Sequence, residues 1–235
     1  MNKILNNEKN ISDVSELDRL CVALDHQHAM ERKIKFLLDI RGYLKVNNLK
    51  GSYFEFGSFR SHMQYCAFRV LENTNLIENY VGFDTFCGEP SMTAEETGLI
   101  PYVSEGSYSS NYEQTLKFVN DNIGVKGHLI KGDFRENEVL QTSQKFAPIS
   151  VSAIDCNLAS SIEKSLSYSF KNVINGGIIF IDDYYTNFGQ GTPIIQNITE
   201  KLLIENNKAL IELGYYAPFA RSFIIVNKDN KINKD

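Results

Sequence analysis

Two short apolar runs that end in carboxylates restrict what this chain can become. Ile178-Ile-Phe-Ile-Asp-Asp-Tyr184 and Val151-Ser-Ala-Ile-Asp-Cys156 each pass abruptly from aliphatic to acidic. A run of about four to eight apolar residues bounded by turn signals has the pattern of a buried parallel strand. Charges at the end of such a strand fall where open α/β sheets bind ligands, outside the carboxyl ends of the strands. Asp155, Asp182 and Asp183, at two such edges, would form a hard-oxygen cluster. That cluster suits either a divalent cation such as magnesium, calcium or manganese, or acid–base work. Asp182 and Asp183 point in different directions if strand geometry persists, so both can serve one ion only if the chain turns there.

The rest of the chain repeats the motif of strand followed by helix. Strands are expected at 53–56, 80–83, 127–131, 149–154 and 176–181, with helices at 61–71, 111–122, 136–142, 160–173 and 192–206 between and after them. Ser61 and Asn111 stand as N-caps, and Ser160 with Glu163 reads as a capping box. Pro193 opens the last helix. A long polar loop is expected over 87–110. Residues 13–46 carry apolar positions at threes and fours, the pattern of a helical extension preceding the first strand. Two final strands at 214–217 and 221–226, joined by a Pro218 turn, read as an antiparallel hairpin. Five alternating units imply a doubly wound, mostly parallel α/β sheet. With the hairpin it becomes seven-stranded, and by analogy alone it resembles the Rossmann-like class I methyltransferases. The expected organisation is a helical cap over 1–48, a sheet domain over 49–227 and a frayed tail over 228–235.

Composition narrows the function classes. The 235 residues carry a net charge of −5, so no basic surplus exists to neutralise nucleic-acid phosphates. No apolar run approaches a membrane span, and the N-terminus is too polar for a signal peptide, so a cytoplasmic protein is expected. Cys21, Cys66, Cys87 and Cys156 are widely spaced and lack a CxxC pair, which disfavours zinc and disulfides. His26 and His28 lie on different faces of a helix. His62 and His128 are candidate bases that more often serve structural roles.

Three further constellations lie at strand ends. In Glu55-Phe-Gly-Ser-Phe-Arg-Ser61, Gly57 lets backbone come close to a ligand, and Glu55 can attract a cationic group such as the sulfonium or amino group of S-adenosylmethionine. The turn lacks GxGxxG, which argues against a nicotinamide dinucleotide. In Gly82-Phe-Asp-Thr-Phe86, Asp84 is placed to accept from ribose hydroxyls. In Lys131-Gly-Asp-Phe-Arg135, Asp133 can accept from an adenine amino group and Phe134 can cover its ring; the alternative is a helix cap beside a core aromatic. Tyr102, Tyr108, Tyr112, Tyr184, Tyr185 and Phe188 could line an acceptor pocket, although core packing competes for most of them.

Taken in order, Glu55-Phe-Gly-Ser-Phe-Arg60, Gly82 to Pro90, Lys131 to Glu136, Ile154 to Leu158 and Gly176 to Tyr184 resemble the macrocin O-methyltransferase family, over roughly residues 50 to 190. That family methylates sugar hydroxyls on antibiotics and other glycosides. The resemblance implies S-adenosylmethionine as methyl donor and a magnesium site. By position it implies that Glu55, Gly57, Ser61, Asp84 and Asp133 contact the donor, with Thr85 and Phe134 alongside. Asp155, Asp182 and Asp183 would hold the metal, and Asp155 would also be the base. The acceptor lid would come from the N-terminal helices and the 87–110 loop, and those helices could also pair two copies as a homodimer. A catechol or phenol acceptor, a nicotinamide-dependent oxidoreductase and a non-catalytic binding module are the competing readings.

Overall fold

The computed structural model describes residues 16–101 and 103–228, with side chains from residue 23 onward except Asp25. The polar tail beyond 228, Tyr102 and the side chains of Leu17, Leu20, Cys21 and Val22 lie outside the described residues.

Helix α1, Glu16–Val46, leads into β1, Gly51–Phe56; then come α2, His62–Leu71, and β2, Ile77–Asp84. Helices α3, Ala94–Leu99, and α4, Tyr112–Asn122, precede β3, Gly127–Lys131; α5, Asn137–Gln141, precedes β4, Ile149–Ile154. The chain finishes with α6, Ala159–Asn172, β5, Val173–Ile181, α7, Ile194–Glu205, β6, Lys208–Tyr216, and β7, Ala220–Asn227. The seven strands lie in the order β3-β2-β1-β4-β5-β7-β6. The first five are parallel, and β7 runs antiparallel to both β5 and β6. The expected doubly wound sheet with a terminal hairpin is therefore present, with β7 inserted between β5 and β6.

The core follows from strand alternation, which sends successive side chains to opposite faces. Tyr53, Val151, Ala153, Ile178 and Phe180 pack toward α1 and α2. Phe54, Phe56, Ile154, Ile179 and Ile181 pack toward α6 and α7. Because both faces are covered, β1 and β4 are buried at every residue. Helix α1 contributes Phe36, Leu37, Ile40 and Leu44, all fully buried, and Phe36 stacks on Phe180 with ring centroids 4.4 Å apart. The N-terminal helix is thus part of the core. Among the described residues no helix is long and apolar enough to cross a membrane.

Several local expectations need correction. The 87–110 segment contains α3, whose capping box joins Thr93 and Glu96: the Glu96 amide donates to Thr93 Oγ1 at 3.1 Å and the Thr93 amide to Glu96 Oε2 at 3.0 Å. Ser160 does not cap α6, since the helix begins one residue earlier with Leu158 in the cap place. The Ser160 amide and hydroxyl instead donate to Glu96 Oε1, at 3.0 and 2.7 Å. A carboxylate from the distant loop therefore satisfies donors of the first helical turn, which have no partner within the helix. Glu163 pairs with Lys201 at 2.9 Å. Ser61 stands before α2 in a left-handed conformation without a side-chain cap bond, whereas Asn111 caps α4 by accepting from the Gln114 amide at 2.9 Å.

Candidate functional site

Strand register assembles the site. β2, β1, β4 and β5 align Phe83, Phe56, Ile154 and Ile181 as neighbours. One residue further along, the chain reads Asp84, Gly57, Asp155 and Asp182 across the carboxyl edge of the sheet. The backbone bonds continue one step past the strands, with the Asp155 amide donating to Phe56 O and the Asp182 amide to Ile154 O, both at 2.9 Å. Three carboxylates and a glycine thus stand in one row at the point where strand order reverses, between β1 and β4. This is where open α/β sheets place ligands.

Gly57 has φ +87°, and a Cβ there would lie 2.1 Å from the carbonyl oxygen of Asp155. The close approach that requires glycine is therefore between two strand ends of the protein itself. A cavity of about 510 Å³ opens at this edge, within the range typical of small-molecule sites. Glu55, Gly57, Asp84, Thr85, Asp133, Phe134, Asp155, Asp182 and Asp183 all line it. Ser61 does not: it is fully buried beside the turn, and Ser58, Phe59, Arg60 and His62 line the wall instead.

At one end of the cavity lie Glu55, Asp84 and Asp133. Glu55 is buried and accepts from the Tyr53 hydroxyl at 2.8 Å. Burial, reinforced by the nearby charge of Asp155, pushes its carboxyl up to about 8. Asp84 accepts from the Phe59 and Phe86 amides, each at 2.7 Å, and so ties the β1 turn to the β2 turn. Burial raises its pKa, against the pull of those two amides. Thr85 donates to Gly88 O at 2.6 Å. Asp133 is gripped by Arg135, whose Nη2 donates to Oδ2 at 2.7 Å and whose Nε contacts both oxygens. Phe134 packs edge-on against Phe56 with centroids 5.4 Å apart, so the core-aromatic alternative holds for most of its ring.

At the other end lie Asp155, Asp182 and Asp183. Alternation carries Asp155 and Asp182 to the α1 face, in phase with Ala153 and Phe180, while Asp183 turns to the other face. There Thr186 Oγ1 donates to Asp183 Oδ1 at 2.9 Å. Helix α1 meets the first two with cations. Lys33 Nζ is 2.5 Å from Asp155 Oδ2 and 3.6 Å from Asp182 Oδ2. Arg32 forks onto Asp182, Nη2 to Oδ2 at 3.1 Å and Nε to Oδ1 at 3.3 Å.

The pKa shifts follow. Burial raises Asp155 to about 6 against the opposing charge of Lys33. Burial and the charge of Asp182 raise Asp183 to about 7. Asp182 is lowered despite its burial, because Lys33 and Arg32 favour its charged form. Burial works against the Lys33 ammonium, but Asp155 and Asp182 outweigh it and hold the group above its ordinary value.

The donor set at this end, three carboxylates, suits a hard divalent ion in kind. Among the described residues, however, no three His, Cys, Asp or Glu side chains stand as a ready metal cluster. Lys33, Arg32 and Thr186 occupy four of the six oxygens. Arg32 and Lys33 escaped the reading of the sequence. The signal was there: Lys33 stands three, four, seven and eleven residues before the buried Phe36, Leu37, Ile40 and Leu44, on their stripe.

Of the expected aromatics, Tyr108 lines the cavity, and Phe219 joins it from the β6–β7 turn. Tyr112 packs on Phe86, while Tyr184, Tyr185 and Phe188 form an outer cluster. His62 lines the wall, with burial lowering its pKa. His128 stacks on Phe146 and bonds Asn79, a structural role.

No protein-family model matches the chain, and no curated protein matches it in sequence. Solved structures do. The structure is similar to the O-methyltransferase NovP, with a TM-score of 0.67 and 16% identity over 83% of this chain and 80% of NovP. It is similar to the calicheamicin methyltransferase CalS11, with a TM-score of 0.61 and 18% identity over 95% of this chain and 90% of that one. It is also similar to the SAH-bound methyltransferase PaMTH1 of Podospora anserina, with a TM-score of 0.54 and 12% identity over 83% and 78% of the two chains. At these identities the likeness is one of fold, and the chain has the seven-stranded fold of the class I methyltransferases.

Proposed function

We propose that the chain is an S-adenosylmethionine-dependent O-methyltransferase whose acceptor is a sugar hydroxyl, assisted by a hard divalent cation such as magnesium. The observation that carries this reading is the row Asp84, Gly57, Asp155, Asp182 around one cavity, with Glu55 buried behind it. Bound there, S-adenosylmethionine would supply an electrophilic methyl on a sulfonium, and a divalent cation would supply positive charge for acceptor oxygens.

The protein's own groups divide the work. Glu55 holds a proton in the donor-free fold and would ionise beside a cationic donor, whose charge in a low-dielectric wall favours the carboxylate. Asp84 keeps unused lone pairs after its two backbone bonds and can accept from ribose hydroxyls. Asp133 is fixed by Arg135, so it contributes through oxygens already oriented. Asp155 takes the proton of the acceptor hydroxyl; raised to about 6, it lies nearer working pH than an ordinary aspartate, as a general base should. Asp182 and Asp183, with Asp155, would hold the cation.

Support for the acceptor class comes from CalS11, a TDP-rhamnose 3'-O-methyltransferase of calicheamicin biosynthesis, and support for the donor from the SAH-bound PaMTH1. The test is transfer of labelled methyl from S-adenosylmethionine to a panel of nucleotide-linked sugars and glycosides, with a catechol panel in parallel. Methyl on a sugar hydroxyl is expected, and Asp155→Asn should lower kcat by roughly 10²- to 10⁴-fold with donor affinity nearly unchanged. Transfer only to catechols overturns the acceptor class; binding of reduced nicotinamide without S-adenosylmethionine overturns the whole reading.

A further inference from the structure

The aspartate end of the cavity already holds positive charge. Lys33 and Arg32 bring two cationic groups to Asp155 and Asp182, the same formal charge that one divalent ion would bring. We propose that Lys33 is a competitor built into α1 for the cation site, and that a divalent ion binds there by displacing the Lys33 ammonium from Asp155 and Asp182. This deepens the reading above and rests on it for the identity of the cation site.

Three observations carry it. First, the oxygens that Lys33 takes are those an ion would need: Asp155 Oδ2 at 2.5 Å and Asp182 Oδ2 at 3.6 Å. One ammonium lies against two of the three carboxylates that would hold the ion. Second, the two cations hold differently. Arg32 uses a planar fork on a single carboxylate, both oxygens engaged. Lys33 is a point charge on a flexible four-carbon stem, which can withdraw without moving the backbone. Third, Lys33 lies where α1 changes character. On its C-terminal side Phe36, Leu37 and Ile40 are fully buried and fix the helix to the sheet, whereas His26, Gln27 and His28 on the other side are exposed. Lys33 itself lines the cavity, so the ammonium has room to withdraw by a rotamer change while the helix stays docked.

The consequence is a cation affinity set by Lys33 as well as by the three aspartates. The exchange leaves no carboxylate buried and unpaired: when the ammonium leaves Asp155 the arriving ion takes its place, and with Arg32 still on Asp182 the site gains one positive charge against its three carboxylates.

The experiment titrates Mn²⁺ alone into the full chain and follows the free ion by electron paramagnetic resonance, comparing wild type, Lys33→Gln and Lys33→Arg. Lys33→Gln is expected to bind Mn²⁺ at least tenfold more tightly than wild type, and Lys33→Arg no more tightly than wild type. Equal or weaker binding by Lys33→Gln, or no Mn²⁺ binding by either protein, overturns the proposal. Thermal unfolding gives a second readout. Mn²⁺ should raise the Tm of Lys33→Gln more than that of wild type, and equal shifts overturn the exchange. Calorimetry with S-adenosylhomocysteine on the same samples reports separately on the donor end, so failure of the donor reading and failure of the exchange are distinguishable.

Discussion

Glu55 is a carboxyl in surroundings unlike water. It sits on the α1 face of β1, buried, with one hydroxyl partner in Tyr53 and Asp155 nearby. Its carboxyl is raised to about 8. The donor-free fold therefore holds a proton that the unfolded chain releases in the usual carboxylate range. This contribution to stability is complete below that range and is lost as pH rises through about 8. Glu55→Gln removes the titration, so the variant should lose less stability than wild type between roughly pH 6 and pH 9, read from urea midpoints. Parallel pH curves would contradict the assignment. Gly57 gives a second residue-scale prediction. A Cβ there meets Asp155 O at 2.1 Å, and φ is +87°. Gly57→Ala should cost at least about 2 kcal/mol, since the left-handed strain alone is worth about 1–3; an unfolding midpoint equal to wild type would show that the strands part easily.

At the scale of elements, what could be read in the sequence depended on how far the determining signal lay from the element. The strand ends were legible because apolar runs breaking into carboxylates are local. Asn111 was legible as a cap for the same reason. Helix α3 was not, since six residues are too few for a periodic pattern, although Thr93 and Glu96 stood at capping-box spacing. The start of α6 could not be read locally: Ser160 looks like a cap, but its donors are satisfied by Glu96, 64 residues away in sequence. β6 was underestimated because it is the edge strand, half-exposed, with charged residues at Lys208 and Glu212. α1 was recognised as a helix, but its role was not, because that role depends on Lys33 and Arg32 meeting carboxylates more than a hundred residues on. The buried face of α1 also makes it more than a cover. Phe36→Ala should cost about 3–5 kcal/mol, because Phe36 is fully buried between Phe180 and Tyr216. A loss below about 1 kcal/mol in chemical denaturation would mean that α1 docks only loosely.

At the scale of the molecule, a parallel sheet with both faces covered leaves only its carboxyl edge free for chemistry. Register then converts four separate strand ends into one row, which lines a cavity of about 510 Å³. Carboxylates crowd this cavity, and in the ligand-free protein they are partly neutralised by Lys33 and Arg32. A cationic donor bound at the Glu55 end would complete the balance. Any ligand that binds only the folded state also stabilises it, by about 2.7 kcal/mol at a concentration one hundred times its Kd. Donor binding should therefore be visible both as heat and as a rise in Tm.

The most direct measurement is a calorimetric titration of S-adenosylhomocysteine into the full chain, with and without magnesium. One saturable site per chain is expected in both conditions, weakened by about 1.5–3 kcal/mol in Asp84→Ala, the scale of hydrogen bonds lost to a charged group. Neither heat nor a Tm shift in either condition would contradict the account at its centre.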